Sequence, residues 1–325
     1  MRCETMSRSF FIDKEQHKVT MKVLVTGGAG FIGSHVVDRL VNDGHQVRII
    51  DNLSSGTLEN ILKHLNSGKC EFLKGDIRDP NIVAKSLNEV ESVVHLAAII
   101  SVPLSVKNPE LTFDVNLSGT LNLLRLSAKE GVGRFVFASS CAVYGDPESL
   151  PIKEEAATNP ISPYAQSKIE AENASIDFSE RRLLPSVVLR FFNVYGPRQA
   201  NNDYSGVITR FIDCTKQKLP LTIYGDGSQT RDFVNVNDII EAIVASLTKA
   251  KVKGQVFNIG TGKPTSINEL AKTVLDTAGM ELQISYKEPR AGEIKDSYAD
   301  IAKAKMCLDY KPSVSLKDGL KHLMT

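Results

Sequence analysis

Nowhere in these 325 residues do 18 apolar residues follow one another, so no segment reads as a membrane-spanning helix. Cysteine is sparse and scattered. Cys3, Cys70, Cys141, Cys214 and Cys307 form an odd set without CxxC spacing, which argues against a disulfide framework or a zinc site and fits a reducing cytoplasm. Charge of one sign is not in excess either: Lys+Arg 39 against Asp+Glu 38 leaves a formal net charge of +1, without the basic surplus that binds nucleic acid or an anionic membrane. Internal repeats and low-complexity linkers are lacking, so the parts of the chain should share an interface rather than hang on a tether. A hydrophobic content of 42% over this length is enough for a full core and two structural parts.

What the chain does have begins at MKVLVTGGAGFIGSHVVDRL, residues 21–40. Val23, Leu24 and Val25 make a short buried strand, and Gly27, Gly30 and Gly33 then fall at three-residue spacing where the chain turns into a helix. Glycine there lets the backbone approach a pyrophosphate, and the helix N-terminus, with Phe31 and Ile32 in its first turn, supplies unpaired N–H groups. Asp51 closes the next strand, VRIID, 18 residues after Gly33, where an acid accepts hydrogen bonds from an adenosine ribose. Residues 1–20 carry mixed charge and precede the first core strand; they read as a disordered extension, with Met21 an alternative start.

Apolar runs alternate with helical patterns from 21 to about 190: VLVTG, VRIID, CEFLKGD, SVVHLAA, RFVFASS and SVVLRFF. This rhythm predicts an α/β fold, a Rossmann-type doubly wound parallel sheet, whose functional residues close the strands. Beyond 191 the rhythm breaks into LTIYGDG, DFVNV and VFNIGTG with helices near 206–217, 237–248 and 266–278, which predicts a smaller substrate-binding part over 191–325 with some chain crossing between the two.

Ser162-Pro163-Tyr164 reads as an N-cap, a proline at the first helical position and a helix that puts Tyr164 and Lys168 at i and i+4 on one face. A phenol ionises near pH 10, at about 10, and a neighbouring ammonium favours its phenolate, which can then take a substrate hydroxyl proton as hydride leaves for a nicotinamide. A surface tyrosine beside a lysine would give the same spacing. The upstream glycine turn and Ser140 at a strand end, able to donate to the reacting oxygen, favour chemistry.

With those residues in view, the chain resembles the extended short-chain dehydrogenase/reductases, specifically nucleotide-sugar 4-epimerases of the UDP-galactose or UDP-N-acetylglucosamine type. The landmarks are TGGAGFIG at 26–33, DNLSSG at 51–56, GDIRD at 75–79, HLAA at 95–98, SSCAVYGD at 139–146, SPYAQSK at 162–168, LRFFNVYGPRQ at 189–199 and GDGSQTRDFVNVND at 225–238. The resemblance implies NAD as cofactor, held by the glycine turn, Asp51 with Asn52, Asp76 with Ile77, Ala97, Asn116, Tyr164 and Lys168. Charge repulsion from Asp51 disfavours the 2′-phosphorylated cofactor. It implies a catalytic Ser140, Tyr164 and Lys168, and a UDP-sugar site with Ser101, Asn193, Arg231 and Arg290 near the sugar and phosphates, Glu293 at the uridine ribose and Ser297 beside the sugar's C2. Arginine suits a diphosphate because its fork binds two oxygens at once.

Dehydratases of that superfamily carry an Asp-Glu pair just after the catalytic Ser/Thr, and decarboxylases a glutamate; Cys141 and Ala142 stand there instead and cannot serve as such acids. Oxidation at C4, rotation of the keto sugar and return of hydride to its other face remain. A small residue at 297 resembles epimerases that admit an N-acetyl group, as does Ser101-Val102-Pro103, although Ile100 replaces a glycine frequent before it. The alternatives are another UDP-sugar enzyme, such as a UDP-glucuronate epimerase or a 4-reductase, and a non-catalytic NAD-sensing regulator. The resemblance further implies a homodimer through helices at 109–130 and 164–182, with Leu117, Leu121, Leu124 and Ile169 serving that contact or the monomer core.

Overall fold

The computed structural model describes residues 20–200, 206–289, 292 and 294–325. Seven parallel strands form its centre, in the spatial order Gln255–Ile259, Ser186–Phe191, Arg134–Ser140, Ser92–His95, Lys22–Thr26, Gln46–Asp51, Cys70–Lys74. Order reverses beside Lys22–Thr26, which pairs with Gln46–Asp51 on one side and Ser92–His95 on the other. A crevice opens at such a point above the carboxyl ends of the strands, and the glycine turn, Asp51 with Asn52, Asp76 with Ile77, and Ala97 all lie at or just beyond those ends.

Side-chain alternation divides the strands between two cores. Val23, Val25, Val136 and Ala138 face a layer with Val36, Val37 and Leu40 of the helix Phe31–Asn42 and Ile239 and Ile243 of the helix Val236–Thr248. Leu24, Phe135 and Phe137 face the other layer, with Val83, Leu123, Leu124 and Ala171. Both faces are covered, which explains why the strands read as continuous apolar runs.

A third core, around Ile208, Phe211, Leu221, Ile223, Leu270 and Val274, packs the helices Val207–Gln217 and Ile267–Ala278 against the paired strands Leu221–Tyr224 and Ile284–Lys287. Between these pieces the chain returns to the main sheet: Gln255–Ile259 pairs with Ser186–Phe191. The three later helices begin within a residue of the expected positions, the last because Ser266 and Glu269 form a reciprocal capping box. The helix expected at 109–130 runs from Pro109 to Lys129, helical throughout but with a π turn at Asp114–Ser118 between Pro109–Phe113 and Gly119–Lys129. That expected at 164–182 runs Pro163–Glu180, its N-cap Ser162 accepting the Ala165 N–H at 3.2 Å. Leu124 and Ile169 lie in the monomer core, while Leu117 and Leu121 are half-buried. The extension at 1–19 lies outside the described residues, as do Arg290 and Glu293. Among the described residues no helix is long and apolar enough to cross a membrane.

Candidate active site

The first site element is made of backbone. Gly27 has φ +69, and a Cβ on it would come 2.9 Å from the Ala97 nitrogen. A Cβ on Gly33 would sit 2.1 Å from the Gly27 carbonyl oxygen, so the turn folds back on the helix only because both positions lack side chains. Gly30 is the N-cap of Phe31–Asn42; no side chain caps this end and no acid stands in its first turn. Its N-terminal N–H groups and dipole thus suit an anionic phosphate.

Asp51 is buried beside this turn, its carboxylate accepting the Ala29 N–H at 3.0 Å and the Leu53 N–H at 2.8 Å. These bonds orient it and leave acceptor capacity for hydroxyls. Asn52 donates to Asp76 at 3.1 Å, and Arg78 holds the same carboxylate with Nε and Nη2 at 2.9 and 2.8 Å. Those bonds hold the Asp76 carboxyl well below the usual range, at about 2. Ile77 is buried next to it. Ala97 lies against Gly27, its N–H donating to Thr26 Oγ1 at 3.2 Å. Asn116 is in the π turn, a distortion frequent at functional sites. Its amide, 1% exposed, accepts from the Ile99 N–H and donates to the Ile99 carbonyl and to Ser167, so it fixes the loop after HLAA to the helix that carries Tyr164. Ser101 caps the following helix by accepting the Leu104 N–H at 3.1 Å.

Tyr164 and Lys168 are both buried, and Ser140 hydrogen-bonds the phenol from the end of its strand. Ser140 Oγ accepts the Ala142 N–H at 3.2 Å, which holds the hydroxyl oxygen in place and leaves its O–H able to donate. Lys168 Nζ donates to the Ala138 carbonyl at 2.9 Å and lies 5.0 Å from the centre of the Phe137 ring. Burial pushes Tyr164 up to about 12 and Lys168 down to about 8, because each charged form is desolvated. A cationic nicotinamide beside them would oppose the first shift, since positive charge favours a phenolate.

Short strands of the later half close the other side. Thr230–Arg231 pairs with Asp296–Ser297 in a register that sets Arg231 opposite Ser297. Ser297, 7% exposed, hydrogen-bonds the Cys141 thiol, and burial pushes that thiol up to about 11. The position expected beside the sugar's C2 and the position where dehydratases carry an acid therefore touch. Arg231 Nη1 donates to the carbonyls of Thr230 and Lys295 at 2.7 and 3.2 Å. Asn193 Oδ1 is buried with no hydrogen-bond partner among the described residues, an acceptor suited to a ligand. An open cavity of about 850 Å³, lined by Gly225, Asp226, Ser228 and Tyr286 among others, extends from these strands.

The helix Pro163–Glu180 and the strand Ser186–Phe191 contain a buried pair to which no motif assigns a role, Glu172 and Arg190. A signal was present: an arginine within the apolar run SVVLRFF needs a buried partner.

A family model described as the NAD dependent epimerase/dehydratase family matches residues 23–260. The chain belongs to this family. NAD is its cofactor, and the glycine turn, the uncapped helix end and Asp51 fit it. A UDP-glucose 4-epimerase of Mycolicibacterium smegmatis is 39% identical over 302 residues, 92% of this chain and 96% of that protein. The solved UDP-N-acetylglucosamine 4-epimerase of Methanobrevibacter ruminantium is 38% identical with a TM-score of 0.89, covering 94% of this chain and 98% of its own. The UDP-glucuronic acid 4-epimerase of Bacillus cereus, solved with UDP-glucuronic acid and NAD, is 35% identical with a TM-score of 0.86, covering 93% of this chain and 97% of its own. Similarity of this breadth makes the chain a family enzyme and leaves the sugar to be read from the pocket.

Proposed function

We propose that this enzyme is a UDP-hexose 4-epimerase acting on UDP-glucose/UDP-galactose and on UDP-N-acetylglucosamine with its galacto epimer. The observation that carries the reading is a set of half-buried Ser140 with buried Tyr164 and Lys168, followed by Cys141 and Ala142, which supply no acid for dehydration or decarboxylation. Tyr164 as phenolate takes the proton from the sugar's 4-hydroxyl, and Ser140 donates a hydrogen bond to the same oxygen. Lys168, on the next helical turn, offsets the phenolate's charge. NAD, when bound, supplies reversible hydride acceptance at its nicotinamide. After the 4-keto sugar turns over in the pocket and its C4 receives the hydride back on the other face, Tyr164 returns the proton to the C4 oxygen, and the enzyme ends as it began.

Gly27, Gly30, Phe31, Ile32 and Gly33 would hold the cofactor's pyrophosphate, Asp51 and Asn52 its adenosine ribose, and Asp76 and Ile77 its adenine. Asn193, Arg231, Arg290 and Glu293 would hold the UDP, with Ser101 and Ser297 at the sugar. Ser297 supports the N-acetyl substrate, because a one-carbon side chain against Cys141 leaves room where a tyrosine would not. The proposal includes a cytoplasmic homodimer and a division near residue 190 between the cofactor part and the sugar part. Incubating the purified protein with a panel of UDP-sugars and resolving the products tests the reading. Interconversion of either 4-epimer pair is expected; turnover confined to UDP-glucuronate would replace it with the glucuronate epimerase alternative.

A further inference from the structure

Behind the reacting side chains lies a buried charge pair that the chemistry above leaves unused. Tyr164, Lys168 and Glu172 follow one another at i, i+4 and i+8 on one face of Pro163–Glu180. Three consecutive residues of one strand meet them: Ser140 bonds the phenol, the Ala138 carbonyl takes the lysine, and Ser139 Oγ donates to Glu172 Oε2 at 2.9 Å. Arg190, on the neighbouring strand, forks onto the same carboxylate, Nε to Oε2 at 3.1 Å and Nη2 to Oε1. Its remaining nitrogen, Nη1, donates to Tyr144 Oη at 2.8 Å and to the Glu154 carbonyl at 3.0 Å. Tyr144 ends the short turn Cys141–Tyr144, the turn whose Ala142 N–H fixes the Ser140 hydroxyl. One guanidinium therefore grips both sides of the Ser140–Tyr164 contact: the helix through Glu172 and the turn through Tyr144.

Glu172, Arg190 and Tyr144 are 2%, 5% and 1% exposed. An ion pair so deeply buried is a poor source of stability, because well-packed apolar residues of similar volume frequently do as well. What apolar residues cannot reproduce is direction. We propose that Glu172 and Arg190 are positioning residues, which set the separation of Ser140 from Tyr164 and act on the reaction through those two side chains; this rests on the epimerase reading.

The test uses the full-length holoenzyme carrying both Glu172→Met and Arg190→Met, so that no unpaired charge is buried. Expected are retained NAD, a Tm near that of wild type, KM for the UDP-sugar within about twofold and kcat at least about tenfold lower, as misplacement of reacting groups produces. Recovery of kcat together with Tm would overturn the proposal, since the pair would then be structural only. Tyr144→Phe provides a second route should the double variant fail to fold. It keeps the ion pair and removes one grip on the turn, the bond donated by the charged guanidinium; a loss in kcat of about threefold or more at constant KM is expected, and unchanged kcat would count against the proposal. A crystal structure decides without turnover: the Ser140 hydroxyl should lie out of hydrogen-bond reach of Tyr164 Oη in the double variant and be displaced from it by less in Tyr144→Phe, and an unaltered contact contradicts the proposal. Wild type inactive on every UDP-sugar would remove the epimerase reading, and that structure would still settle the positioning claim.

Discussion

At Gly33 a single added carbon would lie 2.1 Å from the Gly27 carbonyl oxygen, whereas at Ser297 a buried hydroxyl rests against the Cys141 thiol. The two positions stand for the two sides of the site. The cofactor side is backbone: a turn that tolerates no side chain, a helix end without a cap, and an aspartate held by two N–H groups. On the side where we propose that the sugar binds, short strands from 230–231 and 296–297 bring side chains to the turn Cys141–Tyr144. Backbone-built sites suit a ligand common to many reactions, and side-chain-built ones suit the part of the ligand that changes from enzyme to enzyme.

Removing the reacting group should break this comparison most severely. Tyr164→Phe is expected to lower kcat by at least about a hundredfold, the scale of general-base catalysis, while NAD stays bound because the glycine turn is untouched. Steady-state kinetics with cofactor content measured on the same sample checks it; full activity in that variant would remove the phenol from the chemistry. Ser140→Ala takes away one oriented donor and leaves the base, so a smaller loss is expected, on the order of tenfold to a hundredfold in kcat with little change in KM.

Ser297→Tyr sharpens the comparison from the sugar side. Filling the space beside Cys141 should lower kcat/KM for UDP-N-acetylglucosamine relative to UDP-glucose by roughly tenfold or more, the scale of steric discrimination in a pocket. A fold defect would lower both together, so the ratio is the quantity to read, and an unchanged ratio puts the wall elsewhere.

The smallest effect concerns stability. Burial pushes Lys168 down to about 8 from an ordinary value of 10.5, so the folded, unliganded chain binds this proton less tightly than the unfolded one. Below about 8 the burial cost is present in full; between about 8 and 10.5 the folded state has released a proton that the unfolded state retains, and stability rises with pH. Lys168→Met should therefore raise the Tm of the cofactor-free protein by a few degrees at neutral pH, where roughly 1 kcal/mol shifts Tm by about 2–4 °C in a chain of this size. The gain should shrink toward pH 10, and a gain independent of pH would assign it to packing alone.

The cofactor side was legible in sequence because its determinants are local. Gly27, Gly30, Gly33 and Asp51 sit within one strand-turn-helix-strand unit, and the proline and serine that start the Tyr164 helix are its immediate neighbours. The sugar side was less so. Nothing near Ser297 says that it meets Cys141, since a pairing across more than 60 intervening residues with Arg231 creates that contact. The π turn at Asp114–Ser118 escaped the periodicity because it inserts its extra residue without ending the helix or disturbing composition. Glu172 and Arg190 were hidden for another reason: a helix-face acid reads as solvated surface, and only the strand behind it makes it buried. The expected run of strands also stopped one short of the sheet, whose edge is filled by Gln255–Ile259 from the later half.

The central claim, that hydride leaves C4 and returns to the same carbon within one turnover, is tested most directly with a UDP-sugar deuterated at C4. The product should be the 4-epimer with deuterium retained at the inverted carbon and no reduced cofactor accumulating in solution. Label lost to solvent, or reduced cofactor formed in step with product, would contradict the account.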